Sequence, residues 1–184
     1  MNQKLKTSIA FAKKLFTTGA ISETSRAVEI EICKFIPTDR DVVIVEYGMG
    51  HGNITREILK NITPNSKVYA FEVMEDFCEH VRNTIKDDRL IVVNDGAENV
   101  KNHVKGPVHG VIASIPFSFF SKEKALGIIQ DSYDILEDGM YYNQALYTKH
   151  NFKKFQQIFD DCTMRKISSK IPAEYLYDCR KVVR

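Results

Sequence analysis

The chain has 184 residues, 43% of them hydrophobic and 27% charged, which suits one folded domain and excludes a disordered or collagen-like chain. No run of 18 apolar residues occurs, so we expect no spanning helix, and the start lacks the apolar core of a secretory signal. The net charge is +2, but residues 1–16 carry +4, residues 149–184 carry +5 and the middle carries −7. Basic ends around an acidic body indicate an anionic partner, either a membrane or a nucleic acid.

The first predicted element is an amphipathic helix over residues 3–16. At 100° per residue its apolar side chains fall on an arc of about 160°, with lysines opposite. Such a face either packs on the domain or binds a membrane surface. The lysines that would contact an anionic membrane are Lys4, Lys6, Lys13 and Lys14. The polar, Gly-containing stretch 17–25 predicts a hinge.

Strand-like and helix-like segments then alternate. Short β-branched runs at 42–45, 68–71, 90–93 and 108–113 predict parallel strands buried on both faces. The stretches 53–60, 75–86 and 121–136 have helical apolar spacing. Further along, we predict a strand at 140–147, a helix at 152–159, and two paired strands at 163–171 and 175–183. The sequence therefore predicts an α/β fold with a seven-stranded, mostly parallel sheet, an antiparallel terminal hairpin and flanking helices.

Cysteine and histidine spacing argues against a metal site. The four cysteines, Cys33, Cys78, Cys162 and Cys179, lie far apart, and neither a CxxC nor an HExxH motif occurs. This usage predicts reduced thiols in a cytoplasmic protein and no metal cofactor.

The most informative motif follows the first predicted strand and opens the next helix: Glu46-Tyr-Gly48-Met-Gly50-His-Gly52. Glycines permit positive φ and leave no Cβ to hold a ligand away, and the N–H groups of the helix start can bind a negative group. Glu72 ends the next strand, where a carboxylate can accept hydrogen bonds from ribose hydroxyls.

The spacing of this loop distinguishes between nucleoside ligands. The dinucleotide fingerprint requires glycine at position 53, which is Asn53. The acid two residues before the first glycine, Glu46, would repel a pyrophosphate but could hold the ammonium of an amino acid. The motif therefore favours S-adenosylmethionine over NAD.

With Asp95-Gly96-Ala97 after the third strand, this arrangement resembles class I S-adenosylmethionine-dependent methyltransferases over roughly residues 40–184. The resemblance implies a Rossmann-like fold. It also implies that Glu46, Gly48, Gly50 and Gly52 face the methionine part of the cofactor, that Glu72 and Val73 face the ribose, and that Asp95, Gly96 and Ala97 face the adenine.

The fourth strand ends in Ser114-Ile115-Pro116-Phe117, which looks like a short element of the amine-methylating members of this superfamily. We expect the Ser114 side chain or a nearby carbonyl to accept N–H bonds from the acceptor amine and aim its lone pair, beside the cofactor. Pro116 blocks helical continuation and leaves carbonyls free. We expect the Phe117 ring to pack on a base or to contact a methylated ammonium.

Two further segments resemble bacterial phospholipid N-methyltransferases, which methylate the amine of phosphatidylethanolamine: residues 16–26 and residues 171–180. The Ser-Ile-Pro-Phe element also resembles ribosomal RNA adenine N6-dimethyltransferases. Those enzymes carry an extra C-terminal helical domain, which we do not expect here because Arg184 follows the last predicted strand.

We therefore predict a single methyltransferase domain over 1–184, with an amphipathic helix and hinge over 1–21 and the cofactor-binding core over 22–184. The predicted substrate is the head-group amine of a phospholipid, methylated at the inner face of the membrane. Two alternatives stay open: adenine N6 in RNA, and nucleoside binding without catalysis. The number of methyl groups, the general base and the oligomeric state are not predicted.

Overall fold

The structure is a computed structural model that describes residues 24–168 and 172–183. The predicted helix over 3–16, its lysines Lys4, Lys6, Lys13 and Lys14, and residues 1–23 as a whole lie outside the described residues. So do residues 169–171, where the last two predicted strands were expected to meet.

The described elements alternate between strands and helices along the chain. The strands are β1 Val43–Tyr47, β2 Lys67–Phe71, β3 Leu90–Val93, β4 Gly110–Ala113, β5 Tyr141–Leu146, β6 Asp161–Ser168 and β7 Glu174–Arg180. The helices are α1 Arg26–Ile32, α2 Asn53–Asn61, α3 Glu75–Thr84, α4 Val100–His103, α5 Lys122–Ile135 and α6 Phe152–Phe155. Single 3₁₀ turns cover Ala97–Asn99 and Phe117–Phe119.

These strands form one sheet in the order β3-β2-β1-β4-β5-β7-β6. β1 to β5 run parallel to one another. β7 lies between β5 and β6 and is antiparallel to both. The predicted mostly parallel, seven-stranded sheet with a terminal antiparallel hairpin is therefore confirmed. Because β1 to β5 point the same way, the loops that leave them meet at one edge, where open α/β sheets bind ligands.

Burial on both faces of the sheet explains why its central strands are continuously apolar. On β1, Val45 and Tyr47 join the core that includes Ile128 of α5. The preceding residue, Ile44, joins a second core, with Val28 of α1 and residues of α2. Alternate side chains thus enter opposite cores, and neither face needs polar residues.

Some predicted bounds were wrong. The helix expected over 152–159 is the single turn of α6, and the strand expected from 163 already begins at Asp161. The strand expected from 108 begins at Gly110, because Val108 instead pairs with Leu136 in an isolated bridge. Among the described residues, no helix is both long enough and apolar enough to cross a membrane.

Candidate active site

The loop between β1 and α2 is built on three glycines with positive φ. The φ angles of Gly48, Gly50 and Gly52 are 77°, 51° and 81°, a region that other residues enter only with strain. The loop is anchored by the Gly48 N–H, which donates to the Phe71 carbonyl at 2.9 Å. The conformation expected from the glycine spacing is thus present.

Besides allowing positive φ, the first two glycines differ in the space around them. A Cβ on Gly48 would lie 2.9 Å from Cγ2 of Ile115 and 3.2 Å from the Ser114 carbonyl oxygen, so the missing side chain lets this loop touch the exit of β4. A Cβ on Gly50 would meet nothing within 4 Å, so this glycine borders open space. The loop therefore packs on one side and leaves room for a ligand on the other.

Glu72 follows β2 and reaches back to this loop. Its Oε2 accepts a hydrogen bond from the Gly50 N–H at 3.2 Å, and its Oε1 accepts from the N–H groups of Val73 at 2.8 Å and Met74 at 3.0 Å. Burial raises the pKa of the Glu72 carboxyl, and the three backbone donors oppose that rise. Glu72 and Val73 thus join the β2 exit to the glycine loop.

Glu46, near the end of β1, is a buried carboxylate with one unused oxygen. It is 1% exposed, and its Oε2 accepts from the Thr55 hydroxyl at 2.6 Å. Its Oε1 has no hydrogen-bond partner among the described residues. Burial, with a smaller contribution from the charge of Glu72, raises the pKa of Glu46 to about 7, and the hydrogen bond from Thr55 opposes that rise. A buried acceptor without a donor is unfavourable, so this oxygen suits a cationic ligand group.

Asp95, after β3, organises the turn that follows it. Its Oδ1 accepts from the Gly96 N–H at 2.8 Å and from Asn99 Nδ2 at 2.7 Å, and its Oδ2 lies 2.9 Å from His103 Nε2. Burial would raise the pKa of Asp95, but these hydrogen bonds lower it below its ordinary value. Ala97 begins the 3₁₀ turn and is buried. Asp95, Gly96 and Ala97 therefore hold a fixed turn at the ligand edge, and their predicted contact with adenine stays a prediction.

The exit of β4 presents one unused carbonyl to the glycine loop. The Ile115 carbonyl accepts from the Phe117 N–H and from Gln144 Nε2, both at 3.0 Å, so it is fully occupied. The Ser114 carbonyl, close to Gly48, accepts no hydrogen bond from any described residue. Of the carbonyls that we expected Pro116 to leave free, the Ser114 carbonyl is the one that faces the glycine loop.

The Phe117 ring packs in the core, and its predicted contact with a base or a methylated ammonium stays a prediction. Phe117 is completely buried, and its ring meets those of Phe120 at 5.7 Å and Phe155 at 5.3 Å. The 3₁₀ turn after Pro116 directs the ring into the core below the sheet edge. The packing of the Phe117 ring therefore fixes the loop that leaves β4 against the core.

Four residues that the sequence reading missed support the site. Thr55 bonds Glu46, His103 bonds Asp95, Gln144 bonds the Ile115 carbonyl, and Asn151 Nδ2 donates to the Ser118 hydroxyl at 2.8 Å. Gln144 and Asn151 lie 29 and 33 residues from their partners, and Thr55 and His103 lie 9 and 8 residues from theirs, so no short motif links any of the four to the site. No cluster of three metal-ligating side chains occurs in residues 24–168 and 172–183.

Comparisons with known proteins add two kinds of likeness. No family model matches the chain. A segment of 75 residues, 40% of the chain, is 35% identical to the ribosomal RNA small subunit methyltransferase A of Mycoplasmopsis synoviae. An ornithine lipid N-methyltransferase of Singulisphaera acidiphila is 22% identical over 97% of the chain and 98% of its own length. The chain spans only 28% and 30% of the two ribosomal RNA methyltransferases that it matches.

Solved structures share the fold. An rRNA methylase from Streptococcus thermophilus superposes with a TM-score of 0.69 at 18% identity, over 88% of this chain and all of that one. The N-methyltransferase NodS from Bradyrhizobium japonicum, in complex with S-adenosylhomocysteine, superposes with a TM-score of 0.69 at 8% identity, over 85% of this chain and 86% of that one. The chain therefore has the fold of the class I methyltransferases, as its sequence predicts.

Proposed function

We propose that this chain, which has the class I methyltransferase fold, is an S-adenosylmethionine-dependent N-methyltransferase that acts on the head-group amine of a membrane lipid. The observation that carries the proposal is that two oxygens without a donor among the described residues lie toward the same sheet edge, on β1 and just after the adjacent strand β4. Glu46 Oε1 is a buried carboxyl oxygen suited to an ammonium, and the Ser114 carbonyl is an acceptor suited to an amine N–H.

The glycine loop and the acids around it fit the cofactor. Glu46 would hold the methionine ammonium, the space beside Gly50 would take the methionine chain, and Glu72 would accept from the ribose hydroxyls. Asp95 and its turn would lie against the adenine. S-adenosylmethionine supplies a methyl group on a sulfonium, which is electrophilic without help from a metal.

The β4 exit would orient the acceptor. The amine must arrive unprotonated, with its lone pair in line with the C–S bond, because the N–C bond forms as the C–S bond breaks. The Ser114 carbonyl can accept one amine N–H and so fix the direction of the lone pair. The proton lost from nitrogen passes to water, so the step requires no strong protein base.

The length of the match to a lipid methyltransferase favours a lipid over RNA as the substrate. The relative that matches nearly the whole chain is an ornithine lipid N-methyltransferase, and a shared length means that the acceptor side is included in the match. Ornithine lipids and phosphatidylethanolamine both present a primary amine at a membrane surface. Adenine N6 in RNA is the second candidate, supported by the 35% identity of a 75-residue segment to a ribosomal RNA methyltransferase.

A transfer assay distinguishes the two candidates. The protein is incubated with methyl-labelled S-adenosylmethionine and, side by side, with a lipid extract and an RNA extract. We expect label in the lipid fraction. Label in RNA alone would replace the lipid proposal with the adenine one, and absence of label from both fractions, while S-adenosylhomocysteine still binds, would favour nucleoside binding without catalysis.

A further inference from the structure

The segment between β5 and β6 is basic and has no compensating acid over most of its length. Residues 147–158 include Lys149, His150, Lys153 and Lys154 and no Asp or Glu. The first three of these side chains are exposed. We use the term cationic face for four exposed residues: Lys122 at the start of α5, Lys149, His150 and Lys153.

The cationic face lies beside the acceptor side of the candidate site. β5 and β4 are paired, with Gln144 opposite Ala113, so the chain that leaves β5 emerges next to Ser114. The two exit loops also touch, because Asn151 bonds the Ser118 hydroxyl at 2.8 Å. The segment that carries Lys149, His150 and Lys153 therefore adjoins the loop that carries Ser114.

Two acids around this face are engaged by other partners. Glu98 is paired with Lys124 at 2.7 Å, and Glu174 is buried and accepts from both the N–H and the hydroxyl of Ser25. The exposed acids are Glu123 at the start of α5 and Asp160 at the end of the segment between β5 and β6, so the basic residues outnumber them. The Ser25–Glu174 contact also brings the start of α1 to this same edge, since Glu174 begins β7 beside the end of β5.

Rings lie among the cations. Lys149 Nζ lies 5.3 Å from the centre of the half-buried Tyr175 ring, and half-buried Phe152 packs against Tyr177 at 5.1 Å. Lysines that extend from an apolar and aromatic base match the interface of a bilayer, where the stem contacts acyl chains and the ammonium contacts head groups. An RNA strand can also stack its bases on such rings, so what favours a bilayer here is the match to a lipid N-methyltransferase over 97% of the chain.

We infer that the cationic face docks on an anionic lipid bilayer and turns the Ser114 carbonyl toward the lipid head groups. This inference rests on the proposed function and names its membrane-contact surface within the described fold. Docking in this orientation brings a head-group amine to the site without extracting the lipid.

The test uses the full chain with Lys149→Glu and Lys153→Glu combined. The matched control combines Lys67→Glu and Lys86→Glu. Both lysines are exposed, Lys67 begins β2, Lys86 lies four residues before β3, and both are at the opposite edge of the sheet. Both variants change the net charge equally. Binding to phosphatidylcholine vesicles with and without phosphatidylglycerol is measured by co-sedimentation, and S-adenosylhomocysteine affinity is measured as a check on folding.

We expect Lys149→Glu/Lys153→Glu to weaken binding to the anionic vesicles by about 30-fold, the factor for two lysines near an anionic leaflet, and the control to weaken it far less. Equal losses in both variants, or no loss in either, would overturn the inference. Loss of RNA affinity with unchanged vesicle binding would also overturn it. The proposed function is tested separately, by measuring methyl transfer from S-adenosylmethionine, catalysed by the wild-type protein, to lipid in neutral detergent micelles.

Discussion

At the scale of single residues, the site depends on carboxylates in unfavourable surroundings. Glu46 is buried with one oxygen unpaired among the described residues, and Glu72 is mostly engaged by backbone N–H groups. A buried group without a partner costs free energy in the ligand-free fold, and a bound ligand that pairs with it offsets that cost. The two acids therefore have measurable consequences for stability and for cofactor affinity.

Glu46 should make the stability of the ligand-free protein depend on pH. Its folded pKa, about 7, lies above the ordinary value of 4.5, so the folded state holds a proton that the unfolded state has lost between these values. The free energy of unfolding should therefore fall as pH rises from 4.5 to 7, by about 3 kcal/mol from this group. Glu46→Gln should remove that part of the fall in urea titrations at pH 5 and pH 8, and should weaken S-adenosylhomocysteine binding. Equal pH slopes in wild type and variant would show that Glu46 does not titrate there.

Glu72 should contribute to ribose binding in proportion to the hydrogen bonds it accepts. Glu72→Ala should weaken S-adenosylhomocysteine binding by about 1–3 kcal/mol, the range for bonds to a charged acceptor. The control is Glu75→Ala, which removes an exposed acid three residues along that is paired with Arg82. Calorimetry that found both variants equal to wild type would place the ribose elsewhere.

At the scale of elements, a glycine in the loop between β1 and α2 can be compared with a glycine elsewhere, so that the effect of backbone strain is measured separately from the loss of space for a ligand. Gly50 and Gly106 both have positive φ, and a Cβ on either would meet nothing within 4 Å. Alanine at either position should therefore destabilise the fold to a similar extent, by about 1 kcal/mol. Only Gly50 borders the proposed cofactor space, between Glu72 and the exit of β1.

We expect Gly50→Ala to abolish or strongly weaken S-adenosylhomocysteine binding and Gly106→Ala to leave it intact. Thermal unfolding would establish that the two variants are equally folded, and calorimetry would measure the affinities. If Gly50→Ala bound as tightly as Gly106→Ala, the open side of the glycine loop would not be the cofactor site.

The same elements show what the sequence could and could not predict. Four β-branched runs identified the parallel strands because both faces of the sheet are buried, and the spacing of Gly48, Gly50 and Gly52 identified a loop with positive φ. The insertion of β7 between β5 and β6 was not predictable, since it depends on pairing between distant segments. The inward Phe117 ring and the occupation of the Ile115 carbonyl by Gln144 were missed for the same reason.

At the scale of the whole molecule, the two halves of the ligand edge differ in charge. The exits of β1 to β3 present the acids Glu46, Glu72 and Asp95, whereas the exits of β4 and β5 lead to the cationic face. A cationic cofactor and an acceptor at an anionic surface would each meet the complementary half. This division agrees with methyl transfer between a sulfonium donor and a membrane lipid.

The most direct measurement is methyl transfer to lipids that differ only at the amine. The protein is incubated with methyl-labelled S-adenosylmethionine and micelles of phosphatidylethanolamine, ornithine lipid or phosphatidylcholine, and the lipids are separated and identified by mass. The account predicts label on the nitrogen of at least one of the two amine-bearing lipids and none on phosphatidylcholine, whose nitrogen has no proton to lose. Absence of label from both amine-bearing lipids, in a protein that binds S-adenosylhomocysteine, would contradict it.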